Sequence, residues 1–530
     1  MASHFTAFDW IVLIAYFAAT LGTGLFLSRG SRTAESFTSG NRSVPGWACG
    51  LSIFATFLSS ISFLALPGKS FASNWMPFAF SLSLPLATWI AVRWFLPFYR
   101  ASGEVSAYAH LEHRFGPWAR VYAASFYLLT QIARLAMVMY LMALPLAVIM
   151  GVPIVAVLLV TAVVVTAYAF VGGIVAVIWT DALQAVVLVG GALACLGLML
   201  ALIPGGAAGL MEVAREHGKF SAGSMALDDW SRQTFWVVLL NGLFVNLQNF
   251  GIDQSYVQRY IASPTEKEAR RSVWLGGMLY LPVSAVFFLI GTALFAFYLS
   301  QPADLVEVRE VVASQRLIRE GLDPAAAGFA AAVSGKAATL GNADIGDGVF
   351  PHFIGKHLPP GMTGLLIAAV FAAGMSTIST SLNSAATVFH ADFFRRFIRR
   401  EGGDSLRVLK AATLAFGVIG TSVSFLLLNV ASALDAWWTL SSIFSGGILG
   451  LFLLGIMSRR AGNPAAASAV TCGVLVITWI TLSTAGLWPA SLVASKAPFH
   501  AFLAIVLGTL VILFGGIAFS SLLPRKNLIP

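Results

Sequence analysis

Leu51-Ser52-Ile53-Phe54-Ala55-Thr56-Phe57-Leu58-Ser59-Ser60-Ile61-Ser62-Phe63, with Pro67-Gly68 just beyond, is an apolar run punctuated by hydroxyl side chains. Membrane folds built from inverted repeats put their ligand sites where helices are broken, and the sequence mark is a polar-interrupted hydrophobic segment at matching positions in two halves. A second segment fits: Asn241-Gly242-Leu243-Phe244-Val245-Asn246-Leu247-Gln248-Asn249-Phe250-Gly251-Ile252-Asp253-Gln254, whose amides and glycines interrupt an apolar stretch. Four spans separate the two. With the first apolar segment set aside as an extra helix, each interrupted segment opens a five-helix repeat. The halves share no visible identity, so the repeat rests on placement. The expected divisions are 1–46 (extra helix and cytoplasmic loop), 47–203 (first repeat), 204–232 (outer loop), 233–457 (second repeat, with an outer loop at 301–360) and 458–530 (terminal helices and tail).

Composition agrees with a membrane protein. The chain of 530 residues is 58% hydrophobic and 10% charged, with mean hydropathy +0.83, which excludes an ordinary soluble globular protein. A span needs roughly 20 apolar residues, and candidates centre near 18, 57, 87, 135, 162, 190, 245, 285, 375, 418, 446, 475 and 510. The fold class is therefore all-α, with about thirteen transmembrane helices. The net charge of +9 sits in short connections, where it sets orientation and does not indicate nucleic acid. Arg29, Arg32 and Arg42; Arg100, Arg114 and Arg120; Arg259, Lys267, Arg270 and Arg271; Arg395, Arg396, Arg399, Arg400, Arg407 and Lys410; Arg459 and Arg460; and Arg525 and Lys526 mark every second connection. The positive-inside rule then places the N-terminus outside and the C-terminus in the cytoplasm of a multi-pass protein of a cell membrane, expected to be a bacterial inner membrane. The 301–360 stretch, with Ala325 to Ala332, reads as a lid, a surface helix or a plain spacer. Cys49, Cys195 and Cys472 lie in or beside apolar spans and indicate neither a disulfide framework nor a metal site. Asp9 directly before the first apolar run, without a basic leader or cleavage site, marks a retained helix and not a signal peptide. No segment points to an obligate protein partner.

Two further stretches carry chemistry. In Gly172-Gly173-Ile174-Val175-Ala176-Val177-Ile178-Trp179-Thr180-Asp181-Ala182-Leu183-Gln184, an ionisable carboxylate lies in a span, where it needs a partner or a watery path. In Ser376-Thr377-Ile378-Ser379-Thr380-Ser381, hydroxyls fill five of six positions. Hard oxygen ligands plus one carboxylate suit a small monovalent cation such as Na+. The competing reading is that the hydroxyls satisfy backbone carbonyls or join helices. Arg134, at the middle of the span Gln131 to Tyr140, is a permanent cation able to hold a carboxylate through two parallel hydrogen bonds. A buried pair with an unidentified acid is the alternative there. A membrane enzyme would need a catalytic histidine or paired carboxylates at the membrane face; His110 and His113 are the candidates, and Arg114 beside them favours a solvated loop.

The chain resembles the sodium/solute symporter family, which includes sodium-coupled sugar, proline, pantothenate and sialic acid carriers, over about residues 8 to 523. The marks are Phe37-Thr38-Ser39-Gly40-Asn41-Arg42; Gly172-Gly173 to Gln184; Asp253-Gln254 to Val257-Gln258-Arg259; Ser381-Leu382-Asn383-Ser384; and Phe444-Ser445-Gly446-Gly447 to Gly450-Leu451-Phe452. The resemblance implies a leucine-transporter-type inverted repeat, alternating access and co-transported Na+. It implies a sodium site of Ala55, Leu58, Ala373, Ser376 and Thr377, and, as in the sialic acid carriers, a second one of Asp181, Ser376, Ser379 and Thr380. Asp181 stands about eight residues into its helix, so a structural carboxylate is the competing reading. The same carriers resemble this chain in having an arginine at Arg134 for the substrate carboxylate and hydroxyls at Ser59 and Ser62. Ser60, Ser81 and Asn246 complete the expected substrate set. The chain departs from that pattern at Phe57, where a polar group is expected, and in lacking any glutamine between 67 and 100. The expected function is inward Na+ symport of a small organic acid, foremost sialic acid or a related sugar acid. A neutral sugar, a polyol or a monocarboxylate is the alternative substrate.

Overall fold

A computed structural model describes residues 5–28, 32–398, 405–429 and 447–522. Among them the regular structure is entirely helical. The elements that matter here are α1 (Ala7–Leu27), α2 (Gly46–Phe57), α3 (Ser60–Ala72), α4 (Met76–Ser102), α5 (Pro117–Met150), α6 (Ile154–Leu202), α7 (Phe235–Ile252), α8 (Gln254–Ala262) and α9 (Glu266–Ser300). They continue with α10 (Pro302–Arg319), α11 (Asn342–His357), α12 (Met362–Val388), α13 (Ser405–Leu426), α14 (Gly447–Met457), α15 (Asn463–Thr484) and α16 (Leu503–Leu522). Ten helices among the described residues are individually long and apolar enough to cross a bilayer. The pair α2 and α3 forms one further span, bent by 55°.

The sequence divides 154–202 into two spans, and the structure supplies the division. A straight helix of 49 residues would reach about 74 Å, more than twice a hydrocarbon core of about 30 Å. The chain breaks at Gly173, with φ 57° and ψ −149°. Only glycine adopts that conformation readily, and a Cβ there would come within 2.7 Å of the Phe37 carbonyl oxygen. The span expected around residue 446 is described from Gly447 onward. Phe444, Ser445 and Gly446, and the charges Arg29, Arg399, Arg400, Arg525 and Lys526, lie outside the described residues.

Both interrupted segments are broken helices. Leu58 (φ −92°, ψ 94°) and Ser59 separate α2 from α3, and Asp253 (φ −74°, ψ 121°) separates α7 from α8. Buried along nearly its whole length, α12 is the central post of the bundle. It packs against α6, α5 and α1, while α2 and α3 lie against α9. Asp9 anchors the first helix to that post: its Oδ1 accepts from the amides of Gly361 at 2.7 Å and Gly364 at 2.8 Å, a carboxylate on a helix N-terminus. The 301–360 connection is structured and packed, and α11 buries Val349, Phe350 and Phe353. Phe350 stacks on Phe63 at 5.9 Å, so the connection covers one end of α3.

Candidate functional site

At the first break, the carbonyls in the last turn of α2 lose their intrahelical donors. Ser376 of α12 reaches across and donates its hydroxyl to Ala55 O at 2.9 Å, with Ala373 O at 3.1 Å. Thr377 Oγ1 lies 3.3 Å from the same Ala373 oxygen. Four of the five residues expected at the first sodium site are thus tied together, and buried Leu58 forms the break beside them. The hydroxyls satisfy carbonyls here, as the competing reading had it. A hydroxyl also keeps lone pairs, so the same oxygens have the donor chemistry that a hard cation such as Na+ accepts.

Beside this cluster Asp181, fully buried, belongs to a network the sequence did not reveal. Its Oδ2 accepts from Ser52 at 2.5 Å and from Arg259 Nη2 at 2.9 Å. Its Oδ1 is left with Ser379 Oγ at 3.4 Å. Ser379 also donates to Ser376 O at 3.1 Å, which joins the carboxylate to the first cluster. Thr380 is engaged by Arg259 Nη2 at 2.6 Å and by Thr56 at 3.1 Å. Arg259 corrects an expectation. Grouped by sequence with the orienting charges of a connection, it is fully buried and ion-paired to Asp181. Arg120 is likewise mostly withdrawn from solvent, contacting Asp392 at 2.5 Å and Glu112 at 3.1 Å.

Arg134 has an acid partner. Its Nη1 is 3.5 Å from Asp253 Oδ2, and both side chains are largely buried. That carboxylate is held better on its other oxygen, where Oδ1 accepts from the Ser255 amide at 2.8 Å and from Tyr127 at 3.2 Å. Among the described residues Arg134 therefore keeps most of its planar fork uncommitted behind one long contact. One turn earlier on α5, both amide atoms of buried Gln131 lack a hydrogen-bond partner among the described residues, as do those of Asn383 and the Ser60 hydroxyl. Unpaired buried polar atoms cost free energy, so this part of the bundle has polar capacity beyond what the protein satisfies.

The remaining expected residues are placed as follows. Ser59 caps α3, accepting from the Ser62 amide at 3.4 Å. Ser81 pairs with Ser284 at 2.8 Å. Asn246 donates to Ser83 Oγ at 2.9 Å while its Oδ1 has no partner among the described residues. Neither of these two bonds Arg134. Phe57 packs its ring on Tyr280 at 4.4 Å, with Phe250 at 5.9 Å, making that wall aromatic. His110 is set between the rings of Phe98 and Phe452. Asp253, Arg259, Ser52 and Tyr127 were missed as site residues. The available signal was a charged pair, Asp253 and Arg259, next to an apolar segment.

Two broken helices facing a central helix, with oxygen clusters at one break and an arginine at the other, define a secondary carrier of the leucine-transporter type with an extra N-terminal helix. The sodium:solute symporter family model matches residues 37–473, and the chain belongs to that family. It is 31% identical over 474 residues to the sodium/sialic acid symporter SiaT of Proteus mirabilis (strain HI4320), covering 88% of each chain. It is 30% identical over 487 residues to the sodium/sialic acid symporter NanT of Aliivibrio fischeri (strain ATCC 700601 / ES114), covering 91% of this chain and 89% of that one. A solved structure of a Na+-coupled sialic acid symporter in a substrate-bound outward-open state superposes with TM-score 0.84 at 27% identity, covering 99% of this chain and 100% of the other.

Proposed function

We propose that this protein is a Na+-coupled symporter importing sialic acid or a close sugar acid, with Arg134 receiving the substrate carboxylate. The observation that carries this reading is the loosely held guanidinium of Arg134 beside the broken α7–α8 segment, with the unsatisfied amide of Gln131 one turn away on the same helix. The sialic acid transported by the two bacterial relatives supports it. Na+ takes the oxygens of Ala55, Leu58, Ala373, Ser376 and Thr377. A second ion uses Asp181 Oδ1 with Ser376 and Ser379, while Thr380 contributes only if Arg259 releases it. Ser59, Ser60 and Ser62 flank the substrate at the first break, with Ser81 and Asn246 as further polar contacts. Ion binding favours the arrangement that accepts substrate, and substrate then permits closure and release on the other side. The N-terminus lies outside and the C-terminus in the cytoplasm of a bacterial inner membrane. The protein acts as a carrier, with no bond made or broken in its substrate.

One observation favours a second substrate class. Asp253 already opposes Arg134, and Phe57 stands where a polar contact was expected, so a neutral sugar or polyol bridging the pair is the rival. Uptake of radiolabelled sialic acid and of neutral sugars into proteoliposomes, with and without an inward Na+ gradient, separates them. Gradient-driven uptake of the acid supports the proposal; uptake of only the neutral sugar overturns it.

A further inference from the structure

The short helix α8 has nine residues and holds two ion pairs near its two ends. Asp253, its N-cap, faces Arg134 of α5 at 3.5 Å. Arg259, six positions on and about 9 Å along the axis, binds Asp181 of α6 at 2.9 Å, Ser52 of α2 at 2.7 Å and Thr380 of α12 at 2.6 Å. Between them the helix is stitched internally and to the post: Arg259 Nη1 donates to Ser255 O, and Ser255 Oγ donates to Ser384 at 3.1 Å. Each pair contains one residue of a candidate ligand site and one residue of α8 or its N-cap.

We propose that α8 couples ion binding to substrate binding by exchange of counter-charges, with Asp253 as the positioning residue. Arg134 is neutralised by Asp253, and Asp181 by Arg259. A substrate carboxylate at Arg134 supplants Asp253, anion for anion. Na+ at Asp181 Oδ1 draws on the same carboxylate charge and weakens the hold of Arg259 on Oδ2, cation against cation. Either ligand loosens one end of the helix, and both together free it to move about the breaks on either side. Because the two exchanges act on one rigid element, each ligand raises the affinity for the other by the same factor, as linkage requires. This inference rests on the reading that Arg134 takes the carboxylate.

Asp253→Asn tests it, since asparagine keeps an oxygen for the Ser255 amide and for Tyr127 while removing the charge that competes at Arg134. Binding of sialic acid and of its uncharged methyl ester to purified full-length protein is measured by calorimetry at low and high Na+. Loss of this long, partly exposed competing contact corresponds to roughly two- to fivefold tighter binding of the acid at low Na+. The ester's affinity should be unchanged, and the improvement of acid binding by Na+ should shrink. A purely structural Asp253 would shift acid and ester alike and leave the Na+ effect intact, which overturns the inference, as does weaker acid binding in the variant. Arg134→Ala runs alongside: if it leaves acid binding unchanged, the carboxylate reading itself fails. If it abolishes acid binding while Asp253→Asn changes nothing, the carboxylate reading stands and only the exchange is wrong.

Discussion

Replacing Asp181 by asparagine separates the structural and ion-binding roles of that position. Asp181 and Arg259 are both fully withdrawn from solvent and meet at 2.9 Å. Deleting one charge of such a pair leaves the other desolvated and uncompensated, at a cost of about 3 to 5 kcal/mol. Asparagine still accepts from Ser52 or Arg259, which places the expected loss near the lower figure, about 3 kcal/mol, or a folded-to-unfolded ratio reduced roughly a hundredfold. Thermal unfolding in detergent should register this as a lower melting temperature without Na+. Adding Arg259→Gln removes the stranded cation and should restore most of the lost stability. It should not restore ion binding. Substrate binding titrated with Na+ is expected to show a Hill coefficient near two in the parent and near one in both variants. If the single variant keeps the parent's coefficient, Asp181 does not ligate a second ion. If the double variant is less stable than the single one, the cost does not come from an unpaired buried charge, and the reasoning about the pair fails.

Thr377→Ala removes one of about five oxygen ligands at the first sodium site; the half-saturating Na+ concentration for uptake should rise severalfold with expression and melting unchanged, and a normal Na+ dependence would remove Thr377 from the site. Arg134→Ala should weaken acid binding by about thirtyfold or more, as loss of a charged contact costs about 2 to 5 kcal/mol. Arg134→Lys should recover part of it, because charge remains but the planar fork does not; equal binding of acid and methyl ester by the parent would show that no carboxylate is read. A pH prediction concerns the junction of α10 and α11, where Lys356 contacts Asp304 at 2.7 Å as well as Glu307, and His357 contacts Asp304 at 2.9 Å. Burial pushes Asp304 up, but the hydrogen bond from Lys356 together with the charges of His357 and Lys356 holds it below its ordinary 3.8; the hydrogen bond from Lys356 holds Glu307 below 4.5, while burial holds His357 below 6.5. All three contributions are present at neutral pH and lost as pH falls. The loosening begins below about 6.5 with the imidazole and finishes below the carboxylate range. Lys356, raised above 10.5 by its bonds to Asp304 and Glu307, loses its contribution only as pH rises through that raised value. Limited proteolysis of 301–360 should therefore accelerate in acid and stay slow from pH 7 to 9; acceleration toward pH 9 would contradict this.

The sequence by itself determined the class of fold and the placement of its breaks. A chain so rich in apolar residues must satisfy its backbone inside the bilayer. Hydroxyls and amides interrupting two apolar runs mark where it cannot continue as plain helix, as Leu58 and Asp253 show. Gly173 was legible as part of a motif, although the need for its positive φ appears only when Phe37 is seen against it. The hydroxyl face of α12 could likewise be read from spacing alone, because one helix sets the relation of Ser376, Thr377 and Thr380. Partner choice could not be read in this way. Asp181 and Arg259 are 78 residues apart and Arg134 and Asp253 are 119 apart, so nothing in local sequence tells which cation answers which acid. Charges grouped by neighbourhood looked like membrane anchors, and packing of α8 against α2, α6 and α12 decided that Arg259 would be buried instead. Burial makes an unpaired charge costly, and it is this tertiary constraint that turned two isolated acids and two arginines into a linked pair of ion pairs.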